Sequence, residues 1–93
     1  MAYRILNYTL EQASKLGVIV KPSSVKGKKI DVFNKKGEKL VSVGAIGYGD
    51  YPTFKALHGK EYADKRRKLY KMRHESDRHE RGTAGFYADK LLW

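Results

Sequence analysis

His74 and His79 stand five residues apart, with Glu75 and Asp77 between them. Side chains of these types ligate metals or move protons in hydrolytic sites. A helical zinc pair needs i, i+4 spacing, so that both imidazoles leave one face of the helix. A five-residue step misses that face, and the surrounding cations disfavour a metal ion. A nuclease built on His74, His79 and Asp77 therefore ranks behind every other reading. The chain has no cysteine, which removes disulfides, thiol nucleophiles and Cys-type zinc sites. The glycine-rich stretch at 44–50, GAIGYGD, lacks the lysine and its Ser/Thr neighbour of a phosphate-binding P-loop. Its glycines supply backbone freedom instead. No enzymatic activity, cofactor, metal or small-molecule substrate is expected.

The cations carry more information. Between Lys15 and Lys39 there are eight lysines against Asp31 and Glu38, a net +6. Lysine is a hydrated point charge on a flexible stem, suited to diffuse attraction of phosphates. Lys26, Lys28, Lys29, Lys35 and Lys36 are the expected polyanion-binding residues; the same lysines would also shield a sheet edge from self-association. Between Lys60 and Arg81 nine cations meet five acids, a net +4. Glu61–Lys65 and Asp64–Lys68 are i, i+4 pairs, as on a solvated helix face. Arg66 and Arg73 share a wedge with Tyr62, Ala63, Leu69 and Tyr70 at about 100° per residue. An arginine on an apolar face needs a carboxylate, a carbonyl cage or an external anion. Asp50 is the expected internal partner, in a structural ion pair with Arg66.

Tyr48, Tyr51, Phe54, Tyr62, Tyr70, Phe86, Tyr87 and Trp93 all fall in the second half of the chain. Interleaved with arginines, they could stack on single-stranded bases. Tyrosines with outward hydroxyls also suit a small core or a protein interface, and that use is favoured. Leu91-Leu92-Trp93 reads as an anchor, docked on this domain or on a neighbour.

Ninety-three residues hold one hydrophobic core, so 1–93 is expected to be a single domain. Within it, 1–46 comprises a helix and a lysine-rich hairpin region; 47–93 comprises the Gly/Tyr loop and a helical, aromatic-rich region. Thr9 and Gln12 form a capping box for a helix over 9–16, and Gly17 stops it. Val18–Val20, Ile30–Phe33 and Leu40–Ala45 read as strands, with a hairpin turn over 34–37. Thr53 is expected to cap a short helix over 54–58, closed by Gly59. A longer helix runs over about 60–75, and a last one starts at Thr83 or Gly85. The expected fold is α+β, a small antiparallel sheet of about three strands packed on two to four helices. No apolar run approaches the ~20 residues of a membrane span, and the segment from Met1 to Asn7 does not read as a signal peptide.

Four segments together resemble a known family. They are YTLEQASKLGVIVKPSSVKGKKIDVF, VGAIGYGDYPTF, GKEYADKRRKLYKMRH and GTAGFYADKLLW. The chain resembles a small basic family that recurs in nucleocytoplasmic large DNA viruses, over nearly its whole length. The most specific parts are Gly47–Tyr51, Arg66–His74 and Ala88–Trp93. The resemblance implies a viral origin and a virion or capsid-associated role, with no catalytic residues to carry over. The resulting expectation is a minor capsid protein on the inner face of a large shell, made in the host cytoplasm and bridging or cementing capsomers. Its contacts would be Arg66, Arg73, Tyr48, Tyr51, Tyr87 and Trp93. Its partners would be capsid proteins, with viral DNA or an anionic membrane surface as further ones. The alternative is a non-specific nucleic-acid-binding or genome-condensing virion protein.

Overall fold

The structure, a computed structural model, describes residues 3–93. Met1 and Ala2, at the start of the segment that does not read as a signal peptide, lie outside the described residues. The order is α1 (Asn7–Leu16), β1 (Ile19–Pro22), β2 (Lys28–Phe33), β3 (Lys39–Ala45), α2 (Tyr51–His58), α3 (Lys60–Arg73) and α4 (Ala84–Leu92). The fold is α+β, with β2 central in a three-stranded antiparallel sheet.

The sheet register follows the alternation of its apolar residues. Val20 faces Val32, Ile30 faces Val43, and Val32 also faces Val41, with an irregularity between Val32 and Phe33. Ile30, Val32 and Val43 are fully buried, together with Leu91 and Leu92 of α4. Pro22 ends β1, an edge strand, where its missing N–H does no harm. Gly37 closes the β2–β3 turn at φ 88°.

The helices start and stop differently from the sequence expectation in two places. Thr9 is not the N-cap of α1; the helix begins two residues earlier, after an extended Leu6 with no side-chain cap. Thr9 is instead fully buried, and its hydroxyl donates to the Leu91 carbonyl at 2.8 Å. That carbonyl lies in the last turn of α4 and has no helical partner of its own. The hydroxyl is used to join two helices, which no local pattern could reveal. Thr53 is likewise not the cap of α2. Asp50 is, accepting from the Thr53 N–H at 3.0 Å. A carboxylate at this position also complements the helix dipole, which a hydroxyl does less well. Gly17 and Gly59 serve as expected, as helix stops, and Thr83, one of the two expected starts of the last helix, is the N-cap of α4.

Two glycines of the 44–50 stretch are required by close approach. A Cβ on Gly44, which sits at φ 82°, would meet Leu92 Cδ1 and Lys29 Cδ at 2.9 Å each. A Cβ on Gly49 would run into the ring of Phe54. The loop is therefore moulded around Lys29 on one side and Phe54 on the other. This shaping delivers Asp50 to its position.

Candidate functional site

Asp50 is fully buried, and its cation is Lys29, not Arg66: the Lys29 Nζ to Asp50 Oδ2 distance is 2.8 Å. Tyr3 donates its hydroxyl to the same oxygen at 2.6 Å. Burial alone would raise the Asp50 carboxyl, but hydrogen bonds from Lys29, Thr53 and Tyr3 outweigh it and hold the group below its ordinary range. Lys29 is therefore withdrawn from any polyanion surface. The reason is topological: β2 runs past the Asp50 loop, whereas α3 presents Arg66 outward.

Arg66 and Arg73 are both exposed, so they do not occupy the core face of α3. Arg66 lies with its guanidinium carbon 5.4 Å from the centre of the Phe54 ring. The packed arginine is Arg67. Its guanidinium carbon is 3.4 Å from the centre of the Tyr51 ring, and Nη2 donates to the Tyr8 hydroxyl at 3.2 Å. The buried seam of α3 is Ala63 and Tyr70; Arg67 falls between them. Tyr62 and Leu69, one position earlier in each case, stay 42% and 50% exposed. Only one of these adjacent stripes could be the core, and an equal apolar count could not say which. The expected Glu61–Lys65 and Asp64–Lys68 pairs are replaced by Lys60–Asp64 at 2.7 Å.

The expected partner residues separate into two groups. Tyr51 is buried, with its hydroxyl donating to Asp64 at 3.0 Å. Trp93 is buried in this domain's own core, so the anchor docks at home. Its ring stacks on Tyr70 at 4.3 Å and 8°, and Tyr70 stacks in turn on His74 at 4.3 Å. Tyr51 cannot meet a partner without unfolding the core, and only an edge of Trp93, 9% exposed, reaches the surface. Tyr87 is half-buried. Tyr48, 76% exposed on its turn, is open to a ligand.

Lys26, Lys28, Lys35 and Lys36 are exposed. Lys26 and Lys28 lie at the start of β2, and Lys35 and Lys36 lie beyond its end. Six strand residues at about 3.3 Å each put roughly 20 Å between the two pairs. They do not form one patch. Lys28 instead belongs to a groove of about 610 Å³ between the end of β3, α3 and α4. Arg66, Arg73, His74, Tyr48 and the Tyr70–Trp93 stack also line it, and Asp77 is its one acidic residue.

Two buried carboxylates have no forerunner among the sequence expectations. Asp89 accepts from Lys71 at 2.8 Å and lies 3.6 Å from Arg78, tying α4 to α3 and to the segment after it. Asp31 accepts from the hydroxyls of Ser23 at 2.5 Å and Ser42 at 2.6 Å, with Lys39 at 3.6 Å. Burial raises the Asp31 carboxyl, but the serine hydrogen bonds and Lys39 outweigh this and hold it well below the usual carboxylate range. A carboxyl depressed on folding contributes stability that is present above its unfolded value, near 3.9, and is lost as pH falls through the folded value. Ser42→Ala is expected to move the acid-unfolding midpoint, followed by circular dichroism, to higher pH. An unchanged midpoint would show that the hydroxyl does not hold the carboxylate.

Among the described residues no three His, Asp or Glu side chains converge as a metal site. His79 sits on Glu75 at 3.1 Å, and His74 lies 3.6 Å from Asp77, as separate pairs. Among the same residues no helix is long and apolar enough to cross a membrane. Chemically, the site is a groove with unpaired cations, an exposed tyrosine at its rim and a floor of stacked aromatic rings. Comparison with known protein families, curated proteins and solved structures found no match for this chain.

Proposed function

We propose that this chain is a structural protein of a large DNA virus, a minor capsid protein that binds the inner face of the shell and bridges capsomers. The family resemblance supplies the viral setting. The observation that carries the reading is the exposed side of α3, where Tyr62, Arg66, Leu69 and Arg73 form one row at i, i+4, i+7 and i+11. Met72 beside it is 67% exposed. Tyr and Arg dominate protein interface energetics, and this row does not serve the domain's own core. A chain of net +10 is complementary to an acidic partner surface, which steers encounter and fixes register. The surface that fits it is therefore an acidic face of a capsid protein.

Location tests the reading. In particles of the virus that encodes it, the chain is expected as ordered density between capsomers, and as cross-links from α3 to capsid protein. Leu69→Glu with Met72→Glu is expected to leave melting within a few degrees, since exposed positions change stability by only about 0.5 kcal/mol each. Incorporation into particles should fall by on the order of ten-fold, as loss of a hot spot implies. Recovery of the wild-type chain only with the DNA core after shell disruption would sink the proposal.

A further inference from the structure

The groove between α3, α4 and the Gly44–Gly49 turn combines cations with aromatic rings. Four cations line it; Lys29 is held by Asp50, whereas Lys28, Arg66 and Arg73 are in no ion pair among the described residues. Arg66 and Arg73 are seven residues apart on one helix, about 10.5 Å along its axis. That is about the length of three nucleotides at 3.4 Å per residue of a stacked strand. Tyr48 stands at the rim on a turn built by Gly47, at φ 95°, and by Gly49. It has no aromatic or hydrogen-bonding side-chain contact among the described residues, and it is the most exposed large apolar residue there, at 76%. A ring held out on a glycine turn beside free cations is a stacking platform, sequence-tolerant because every base has a flat face.

The floor is aromatic: Trp93 stacks on Tyr70 at 8°, and Tyr70 on His74 at 29°, and all three line the groove. Its volume of about 610 Å³ is nucleotide-sized. Asp77, beside His74 at one end, repels phosphate there.

We infer that this groove binds single-stranded nucleic acid, with phosphates on Lys28, Arg66 and Arg73 and a base stacked on Tyr48. A duplex keeps its bases paired inside and cannot offer one to Tyr48. An acidic peptide supplies charge but no obligatory flat ring. The inference does not depend on the capsid reading: it concerns binding by the isolated chain, whereas that reading concerns location in the particle. Either can fail without the other.

The experiment is fluorescence anisotropy of the full chain with a labelled 20-nucleotide thymidine strand, between 50 and 200 mM salt. A duplex of the same length is the second probe, and poly-glutamate is a competitor. The single strand is expected to bind about ten-fold tighter than the duplex at equal salt. Tyr48→Ala should weaken it by on the order of ten-fold while leaving the salt slope unchanged. Arg66→Gln with Arg73→Gln should weaken binding and lower the slope of log affinity on log salt by about 1.4, two single-strand phosphates at 0.7 each. These positions are exposed, and unchanged circular dichroism confirms folding. Absence of binding at 50 mM salt would overturn the inference. So would equal affinity for duplex, an unaffected Tyr48→Ala, or equal competition by poly-glutamate. A loss from Lys35→Gln with Lys36→Gln as large as that from the arginine pair would also overturn it, by assigning the attraction to overall charge.

Discussion

Lys29→Met is expected to lower the unfolding free energy by about 3–5 kcal/mol, because it leaves the Asp50 carboxylate buried and uncompensated. For a domain of this size each kcal/mol moves Tm by about 4–8 °C, so the drop should be at least about 12 °C. The side chains of Lys29 and Asp50 are only 5% and 1% exposed, so water cannot replace the lost ammonium. The Tyr3 hydroxyl and the Thr53 N–H remain, but neither supplies a charge. The loss should also change with pH. In the native chain Asp50 is held low, so its stabilisation is present above about 3.9 and fades as pH falls through the folded value. In Lys29→Met only burial and neutral donors act, and the carboxyl rises. The mutant's deficit should therefore shrink in acid, where the group is protonated. Lys29→Met with Asp50→Asn removes the stranded charge while keeping an oxygen to cap α2, and should recover at least about 1–2 kcal/mol of the loss. Chemical denaturation of the four proteins of this cycle measures all of this. A cost below about 1 kcal/mol for Lys29→Met would show that the pair is solvated in the folded chain.

The second large effect is at Trp93. Trp93→Ala is expected to cost about 3–5 kcal/mol, the range for a buried aromatic cut to alanine. Whole-domain stabilities are about 5–15 kcal/mol, so this one change brings the chain close to unfolding. Three contacts are lost together: the Tyr70 stack at 4.3 Å, the Phe54 contact at 6.0 Å, and closure over Leu91 and Leu92. Aromatic pairs contribute about 0.5–1.5 kcal/mol beyond their buried area. Trp93→Ala with Tyr70→Ala should therefore be less destabilising than the sum of the singles. The chain has a single tryptophan, so its fluorescence in the native protein reports on this packing directly. A Tm within about 3 °C of native for Trp93→Ala would mean that the ring does not close the core.

Much of the fold was legible in short patterns. The alternation of Ile30, Asp31, Val32 and Phe33, the Asn34–Gly37 turn, the Gly17 and Gly59 stops and the Thr83 cap each depend on residues within four positions of one another. The failures at Thr9 and Thr53 have different causes. At Thr9 a distant acceptor took the hydroxyl, whereas at α2 a nearer-fitting local acceptor, the Asp50 carboxylate, caps the helix in place of Thr53. The distant acceptor is the carbonyl of Leu91, 82 residues away. At α2, Asp50 capped the helix while also receiving Lys29 from across the sheet.

The candidate site was less legible than the fold. Arg66 and Arg73 were singled out by spacing, but their expected burial was reversed. The row of Tyr62 and Leu69 and the row of Ala63 and Tyr70 differ by about 100° around α3. The smaller Ala63 lets α3 approach its neighbours closely, and that choice turned the arginines outward and Arg67 inward. Tyr48 and Trp93 were both marked as partner residues. Packing kept one at the surface and took the other into the core.

The sequence by itself determined an α+β domain of net +10, its helix stops, its hairpin and its division into lysine-rich and aromatic-rich halves. These follow from local backbone preference, side-chain period and composition. Only the tertiary structure decided which charges are free. Lys29, Asp31, Asp50 and Asp89 are buried, and Arg67 is packed on Tyr51, while Lys28, Arg66 and Arg73 are left on one groove. A charge is free or bound according to what lies within about 4 Å of it. For these residues such neighbours include Ser23, 8 positions from Asp31, and Tyr8, 59 positions from Arg67.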